Sequence, residues 1–317
     1  MPTFLNFLVD SLAFGAIFIF GSTGEILTEK SGHLNLGIPG IMCMGGAGGC
    51  LFLSLVGKSS MPPALMVILA ILFSFLSAAL MGAIYCFLTV TLHANQNVTG
   101  LALTTLGSGL SKYLMFNLDP VVYLNTPLKY FRFPFGGRTD ALNKVGVMFF
   151  LAIVIAVLAS IYLFKTKSGL NLRAVGENPA TADAAGINVS LYKYLATCIG
   201  SGIAGLGGLY YIMDYMGSNE AYKSIEAFGW LAIALVIFAL WKPYMTIVGS
   251  VIFGALFNCS SYVANFEWIN LSMSSKPLLK MLPYIVTIVV LIITSIRNKK
   301  ENQPPASLGQ SYFREDR

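Results

Sequence analysis

The chain alternates long apolar stretches with short polar connections, and most apolar stretches are near the length of a bilayer crossing. A transmembrane helix needs about 20 mainly apolar residues. The stretches that meet or approach this length are 8–27, 35–56, 63–91, 97–116, 145–164, 190–213, 227–241, 244–264 and 279–296. The pattern predicts an all-α, polytopic integral membrane protein with about nine transmembrane helices, or roughly eight to ten. We expect residues 1–300 to form one transmembrane domain and 301–317 a polar, loosely ordered tail.

Small and polar residues change the interpretation of three stretches. The stretches 35–56 and 97–116 are rich in Gly, Thr and Asn, which predicts broken or partly re-entrant helices. Such backbone is tolerated at membrane depth only where it is buried in protein or lines a cavity. Small residues spaced by four, at Gly45 and Gly49 and again at Gly200, Ala204 and Gly208, predict closely packed helices.

A polar island at 165–190 carries the clearest local signals outside the apolar stretches. Asn178 is a good N-cap, Pro179 suits the first helical position, and Gly186 suits the residue just past a helix end. The signals predict a helix of about two turns held between two spans. Such a helix is suited to docking a partner protein, and a well-formed connecting loop is the alternative.

Composition supports a membrane protein and excludes several other classes. The chain has 317 residues, 56% of them hydrophobic and 11% charged, whereas soluble domains are about 25% charged. The net charge of +6 does not indicate nucleic-acid binding, because much of the excess flanks the predicted spans. The five cysteines lie in apolar stretches without CxxC spacing, so we expect packing roles and no metal site.

Basic residues predict the orientation, since cytoplasmic loops are enriched in Lys and Arg. Lys165, Lys167 and Arg173 place the island in the cytoplasm, and the basic residues at 297–300 do the same for the C-terminus. Four spans separate the two sites, so the assignments agree. Counting back through five spans places the N-terminus outside the cytoplasm. The loop 117–144 then faces outward, although it carries Lys129, Arg132, Arg138 and Lys144.

Charged residues within the predicted spans are few, which argues against ion coupling and intramembrane catalysis. Glu25 and Lys112 come nearest to the membrane interior, and we interpret both as interfacial snorkelling or capping residues. Gly57-Lys58-Ser59 resembles the end of a P-loop, but Phe52 stands where the motif requires glycine. The chain therefore offers a membrane pathway without an energy source or a nucleotide site of its own.

Several polar and aromatic residues are candidates for lining that pathway. Amide and hydroxyl groups can donate and accept hydrogen bonds, as sugar hydroxyls and nucleobase edges require, while aromatic rings can stack on flat solutes. The candidates are Asn35, Asn97, Thr99, Thr104, Phe228 and Trp230. Helix capping or interfacial anchoring is an equally good explanation for each of them. Trp230 and Trp241 in particular fit an aromatic belt.

Four blocks together resemble a known group of membrane proteins. Residues 24–40 (GEILTEKSGHLNLGIPG) and 95–104 (NQNVTGLALT) resemble blocks of ABC-importer permeases for nucleosides and simple sugars. Residues 176–188, with Gly176-Glu177-Asn178-Pro179 at their start, resemble the coupling loop of the wider group, which includes ribose and branched-chain amino-acid permeases. Residues 229–236 (GWLAIALV) resemble a later block. The chain departs from the group at Ile38-Pro39-Gly40, where an acidic residue often precedes the glycine.

The resemblance implies a partner set and a division of labour. It implies a separate cytoplasmic ABC ATPase, a second permease subunit and an extracytoplasmic substrate-binding protein. It favours a heterodimer of two different permease subunits over a homodimer. ATP would be hydrolysed by the partner, so this chain would be a transporter subunit of the bacterial plasma membrane rather than an enzyme, with no cofactor of its own. The coupling residues it implies are Glu177, Asn178, Pro179, Ala182, Asp183 and Gly186.

Three functional hypotheses follow. The leading one is the permease subunit of an ATP-driven importer that moves nucleosides or a related sugar-like solute into the cytoplasm. The second is a self-sufficient secondary carrier or facilitator for a small polar solute, which would transport without partners. The third is a structural or receptor-type membrane protein, which would show no solute flux. The sequence leaves the solute and its direct contacts open.

Overall fold

The computed structural model describes residues 2–57, 59–125, 145–263, 281–297 and 303–313. Its helices are α1 Pro2–Glu29, α2 Ile38–Val56, α3 Pro63–Cys86, α4 Gln96–Asn117, α5 Pro120–Asn125, α6 Val147–Lys165, α7 Lys167–Glu177, α8 Pro179–Ala184, α9 Val189–Leu209, α10 Ile225–Phe238, α11 Pro243–Val263 and α12 Leu282–Arg297. Each of the predicted apolar stretches contains a long helix, which confirms the all-α membrane architecture. Within these ranges, six helical stretches are long and apolar enough to cross a bilayer. Most of the predicted outward loop, 126–144, lies outside the described residues.

The prediction that the helices in 35–56 and 97–116 are broken is wrong. Helix α2 is continuous over 19 residues and α4 over 22 residues. The irregular winding lies instead at the ends of two other helices, where α3 continues as a π-helical turn, Phe87–Thr91, and α9 continues as Tyr210–Met216. The glycines of α2 serve helix contact rather than helix interruption, because a Cβ added at Gly45 would collide with the backbone of Gly205.

Helix α1 forms the centre of the bundle. It packs against α9 and α11 and also contacts α6 and α10, while α2 packs between α3, α4 and α9. The glycine-spaced faces of α2 and α9 meet directly, since a Cβ at Gly208 would collide with the carbonyl of Met42. The predicted close packing of these small-residue stripes is therefore confirmed. Apolar side chains such as Ile68 and Leu80 of α3 stay more than 60% exposed, as expected where helices face lipid.

The turn after α1, the segment α7–α8 and the C-terminal tail meet at one end of the bundle. Ser307 N donates to Gly176 O at 3.1 Å, and Gly309 N donates to Gly32 O at 3.1 Å. Helix α1 is 28 residues long, about 42 Å, so its first residue lies at the opposite end. The tail between 303 and 313 is packed rather than loosely ordered, with Pro305 and Ser307 buried.

Candidate functional site

The island folds as two short helices whose ends are fixed by side-chain caps. Thr166 Oγ1 accepts from Gly169 N at 3.0 Å at the start of α7, and Asn178 Oδ1 accepts from Thr181 N at 3.0 Å at the start of α8. Asn188 Oδ1 caps α9 in the same way. Gly186 has a φ of +81°, the left-handed conformation expected just past a helix end. The predicted N-cap, first-turn proline and terminal glycine are therefore confirmed, although α8 spans only six residues.

The residues proposed for coupling divide between an outer and an inner face. Glu177, Asn178 and Gly186 are exposed, whereas Ala182 is buried and packs with Val175 and Val189 in a small separate core. Pro179 and Asp183 are half-buried. The exposed face of the α8 region also includes Thr181, Ala184 and Ala185. Ala182 therefore holds α8 in place, while a docking partner would meet the exposed residues around it.

An open depression of about 400 Å³ lies beside α8. It is lined by Val90, His93, Asp183, Tyr312 and the run 186–190. The depression thus combines the end of α3, the turn after α8 and the tail in a single concave surface. The sequence pattern that predicts α8 does not predict this depression, because the residues that line it are far from one another in the sequence.

The connection between α1 and α2 folds back into the bundle. Residues Ser31–Gly40 are buried except for Leu34 and Leu36, which are partly buried. The loop is held by three hydrogen bonds to α3 and α4: Tyr85 OH donates to Leu34 O at 2.7 Å, Leu34 N donates to Gln96 Oε1 at 2.8 Å, and Thr104 Oγ1 donates to Leu36 O at 2.7 Å. The start of α2 is consequently surrounded by protein.

A set of buried polar side chains, here the inner polar cluster, surrounds this connection: Glu25, Glu29, His33, Asn35, Thr197 and Trp241. Glu25 Oε1 accepts from Asn35 N at 3.2 Å, and Glu29 accepts from the indole of Trp241. Glu25 is fully buried, so its interpretation as an interfacial snorkelling residue is wrong. The belt interpretation of Trp241 is wrong for the same reason, as the residue is 7% exposed.

The turn between α10 and α11 and the helical spacing of two glutamates on α1 bring these side chains together. Leu240 and Trp241 have positive φ values of 53° and 55°, which are uncommon for residues other than glycine. They form the tight turn between α10 and α11, from which the indole reaches Glu29 on α1. Glu25 and Glu29 are four residues apart and so share one face of α1.

His33 is a buried titratable group of the α1–α2 connection. Its Nδ1 lies 2.9 Å from Thr197 Oγ1, and its ring meets Tyr85 edge-on at 5.6 Å between centroids. Burial, together with the nearby charge of Lys193, lowers the pKa of His33 well below its ordinary value. The imidazole is therefore neutral at physiological pH. Burial also lowers the pKa of the neighbouring Lys30.

The predicted pathway residues do not form one group. Asn35, Thr99 and Thr104 are buried around the start of α2, whereas Asn97 is exposed in the first turn of α4. Within Asn35, Oδ1 accepts from Gly37 N at 2.9 Å, while Nδ2 has no hydrogen-bond partner among the described residues. Asn97 points away because α4 buries its small and polar stripe at helical spacing: Gln96, Thr99, Gly100, Leu103, Thr104, Gly107, Ser108 and Ser111.

Phe228 belongs to an aromatic cluster formed with α1, α11 and the turn after α9. Its ring meets Phe14 at 5.1 Å and Tyr211 at 4.9 Å, both edge-on. Phe14 also stacks on Phe257 at 4.5 Å. Trp230, two residues on, is half-buried. Gly229 between them contacts Pro39 so closely that an added Cβ would collide, which places Phe228 and Trp230 beside the start of α2.

Lys112 and Glu226 are charged residues outside the inner polar cluster. Lys112 pairs with Glu226 at 2.9 Å, and the Lys112 side chain is half-exposed, consistent with a position at a span end. Among the described residues, no group of three His, Cys, Asp or Glu side chains is arranged to hold a metal ion.

A multi-pass helical bundle with a capped helix held outside it is the architecture of a polytopic membrane protein. The family profile described as "Branched-chain amino acid transport system / permease component" matches residues 7–292. The chain therefore belongs to this permease family, which confirms the resemblance seen in its sequence blocks.

Named relatives fall within transport systems of this kind. The nucleoside ABC transporter permease protein NupC of Lactococcus lactis subsp. cremoris (strain MG1363) is 32% identical over 295 residues, covering 90% of this chain and 91% of NupC. The guanosine ABC transporter permease protein NupQ of Bacillus subtilis (strain 168) is 28% identical over 295 residues, covering 89% of each chain. The nucleoside ABC transporter permease protein NupB of the same Lactococcus strain is 23% identical over 237 residues, covering 72% of this chain and 65% of NupB.

Proposed function

We propose that this chain is the membrane-spanning subunit of an ATP-driven importer that moves nucleosides, or a related sugar-like solute, into the cytoplasm of a bacterium. ATP is hydrolysed by a separate subunit that docks on the α7–α8 segment. An extracytoplasmic binding protein delivers the solute from the other side. The solute class rests on the names of the relatives NupC and NupQ.

The observation that carries the proposal is that a chain of this family holds a capped helix, α8, with exposed residues at one end of its bundle. The helix is anchored by Ala182 below and presents Thr181, Ala184 and Ala185 to a partner. Asn178 and Asn188 cap the starts of α8 and α9, and Ala182 of α8 packs with Val189 of α9, so a force applied to α8 reaches α9.

Orientation follows from the same segment. Lys165, Lys167 and Arg173 flank or lie in α7, as the positive-inside rule favours for a cytoplasmic segment. The tail contacts Gly176, which assigns the C-terminus to the cytoplasm too. Since α1 ends beside this surface, the N-terminus is assigned to the extracytoplasmic side.

A second, non-identical permease subunit completes the pathway in this proposal. Two different chains of one Lactococcus strain, NupB and NupC, are both named nucleoside ABC transporter permease proteins, and both are similar to this chain. A system with two distinct permease subunits favours a heterodimer.

The solute path is assigned to the start of α2 and the elements around it. Asn35 Nδ2 and His33 Nε2 are buried without hydrogen-bond partners among the described residues. An unsatisfied buried polar group costs about 1–3 kcal/mol, so its persistence calls for a role. Both atoms are suited to meet a polar solute when the bundle opens. Thr99 and Thr104 lie on the adjacent face of α4, and Phe228 and Trp230 flank the contact between Gly229 and Pro39.

One observation favours the secondary carrier. Glu25 and Glu29 are buried on one face of α1, and intramembrane carboxylates are typical of proton relays. The hydrogen bonds that they accept from Asn35 N and Trp241 give both residues a structural role instead. Uptake by the chain alone, driven by a proton gradient without an ATPase, would establish the carrier.

Affinity purification of the tagged chain from its native membrane tests the proposal. The proposal predicts that an ABC ATPase and a second permease subunit are recovered in stoichiometric amounts and identified by mass spectrometry. A chain that is repeatedly recovered alone and well folded would contradict it.

A further inference from the structure

The C-terminal tail is fastened to the coupling segment α7–α8. Residues 303–313, here the strap, run across the end of the bundle that carries this segment. Ser307 N and Oγ both donate to Gly176 O, at 3.1 and 2.5 Å, and Ala306 N donates to Glu177 Oε2 at 3.3 Å. Tyr312 OH donates to Asp183 Oδ2 at 2.8 Å. The strap is thus attached to the last turn of α7 and to α8 itself.

The same strap is fastened to the inner end of the solute path. Gly309 N donates to Gly32 O at 3.1 Å in the α1–α2 connection. Gln96 donates from Nε2 to Gln310 O at 3.2 Å and accepts from Leu34 N at 2.8 Å, so one side chain joins the strap, the start of α4 and the connection. The ring of Phe313 also lies 4.5 Å from that of His93, between α3 and α4.

The coupling segment and the α1–α2 connection also touch directly. A Cβ added at Gly176 would collide with Lys30 O. Such a packing contact resists compression strongly and separation only weakly, because each pair of atoms in contact attracts by only about 0.1–0.2 kcal/mol. The opposite charges of Lys30 and Glu177 add a further attraction. The strap adds hydrogen bonds on both sides of this contact, and hydrogen bonds do resist separation.

We propose that the strap is a tie that makes the α1–α2 connection follow the coupling segment when the ATPase draws that segment away from the bundle. The direct contact at Gly176 would carry the return stroke. This role rests on the proposed function, because it assumes a partner that moves α8. Ser307, Gln310 and Tyr312 are then positioning residues for transport, acting through the backbone of the connection.

Truncation of the chain after residue 302 tests the tie in the complete transporter. The purified complex should keep its ATPase subunit and hydrolyse ATP within about twofold of the intact complex. ATP-driven uptake of the solute should fall by about tenfold or more, within the range typical of coupling between sites. Unchanged uptake would overturn the proposal. Loss of the ATPase from the complex would also overturn it, because the strap would then be a docking element.

Hydrogen exchange tests the tie without any assumption about the solute. In the full-length chain, Ser307→Ala combined with Tyr312→Phe should raise amide exchange both at 31–37 and at 174–178. Tyr244→Phe is the matched control, since Tyr244 is 44% exposed at the start of α11. The control should exchange like the wild type. If the double variant exchanges like the control, the strap does not hold the two segments together and the proposal fails.

The two experiments separate failure of the tie from failure of the proposed function. If the intact complex shows no ATP-driven uptake, the proposed function fails, and the exchange result still decides whether the strap joins the two segments. If the intact complex transports and the truncated complex transports equally well, the tie alone fails.

Discussion

Gly24 of α1 and Gly200 of α9 face each other so closely that neither position has room for a methyl group. A Cβ added at Gly24 would collide with Gly200 O, and one added at Gly200 would collide with Gly24 O. The contact lies one turn before Thr28, close to the inner polar cluster. The contact therefore sets the distance between α1, which carries Glu25, and α9, which carries Thr197.

We expect Gly200→Ala to destabilise the protein. Overpacking of a closely packed interior costs about 1–3 kcal/mol, because the helices must move apart. Thermal unfolding in detergent should show a lower midpoint than for the wild type.

The control for that variant is Gly109→Ala. Gly109 is exposed on α4 with nothing within 4 Å of an added Cβ. Alanine is a better helix former than glycine by about 1 kcal/mol, so the midpoint should stay or rise. Equal losses in both variants would contradict the assigned α1–α9 contact.

Substitution of Glu25 separates a hydrogen-bonding role from a proton-carrying role. Glu25→Gln keeps an oxygen for Asn35 N, so we expect near-normal uptake and stability. Glu25→Ala leaves that buried N–H unpaired and should cost about 1–3 kcal/mol of folding free energy. Uptake assays and unfolding midpoints measure the two effects. Abolished uptake in a well-folded Glu25→Gln protein would favour the proton-coupled carrier.

The α8 surface offers a test of docking that depends on exposure. We expect Ala184→Arg to abolish association with the ATPase while membrane insertion stays normal, because Ala184 is exposed in the middle of the proposed interface. Co-purification from membranes measures the association. Ala184→Ser is the matched control and should bind normally.

Ala182→Arg should behave differently, although it lies on the same short helix. Ala182 is 3% exposed against Val175 and Val189, so an arginine there would disrupt the fold of the segment itself. We expect lower stability as well as lost association.

A stable Ala184→Arg protein that retains the ATPase would refute the assigned surface.

His33 should make the protein sensitive to acid. Burial lowers its pKa well below the ordinary value of 6.5, so below that pH the unfolded chain binds a proton that the folded protein does not. The contribution of neutral His33 to the free energy of unfolding should therefore be fully present above about pH 6.5. It should decrease as the pH falls below that value. His33→Asn should flatten the profile of unfolding midpoint against pH between about 7 and 5.

The control for the pH profile is His93→Asn, which removes the exposed histidine and leaves His33 in place. It should retain the acid sensitivity of the wild type. Equal acid sensitivity in the wild type and in His33→Asn would mean that another group is responsible.

Features encoded by local sequence could be predicted, because their physical causes lie within a few residues. The apolar stretches require helices in lipid, and Asn178, Pro179 and Gly186 fix the ends of α8 by capping chemistry. The small-residue stripes of α2 and α9 likewise predict close packing. The side of α4 that faces the bundle was also encoded, in the spacing of Thr99, Gly100, Leu103 and Thr104, and this spacing leaves Asn97 outside.

Features that depend on distant contacts could not be predicted from the sequence. Burial of Glu25 depends on the α1–α2 connection folding back so that Asn35 N reaches the carboxylate. Burial of Trp241 depends on the turn with positive φ values before α11. The strap has a polar composition typical of a loose tail, and its order comes from acceptors such as Gly176 O and Gly32 O.

ATP-driven uptake of a labelled nucleoside is the decisive test of the proposed import function. The complex of this chain with its ATPase, second permease and binding protein would be reconstituted in liposomes and compared with the Ala184→Arg complex. We expect uptake that requires ATP in the first case and no uptake in the second. Uptake of nucleoside by this chain without the ATPase, or undiminished uptake in the Ala184→Arg variant, would show that the chain is not an importer subunit driven through α8.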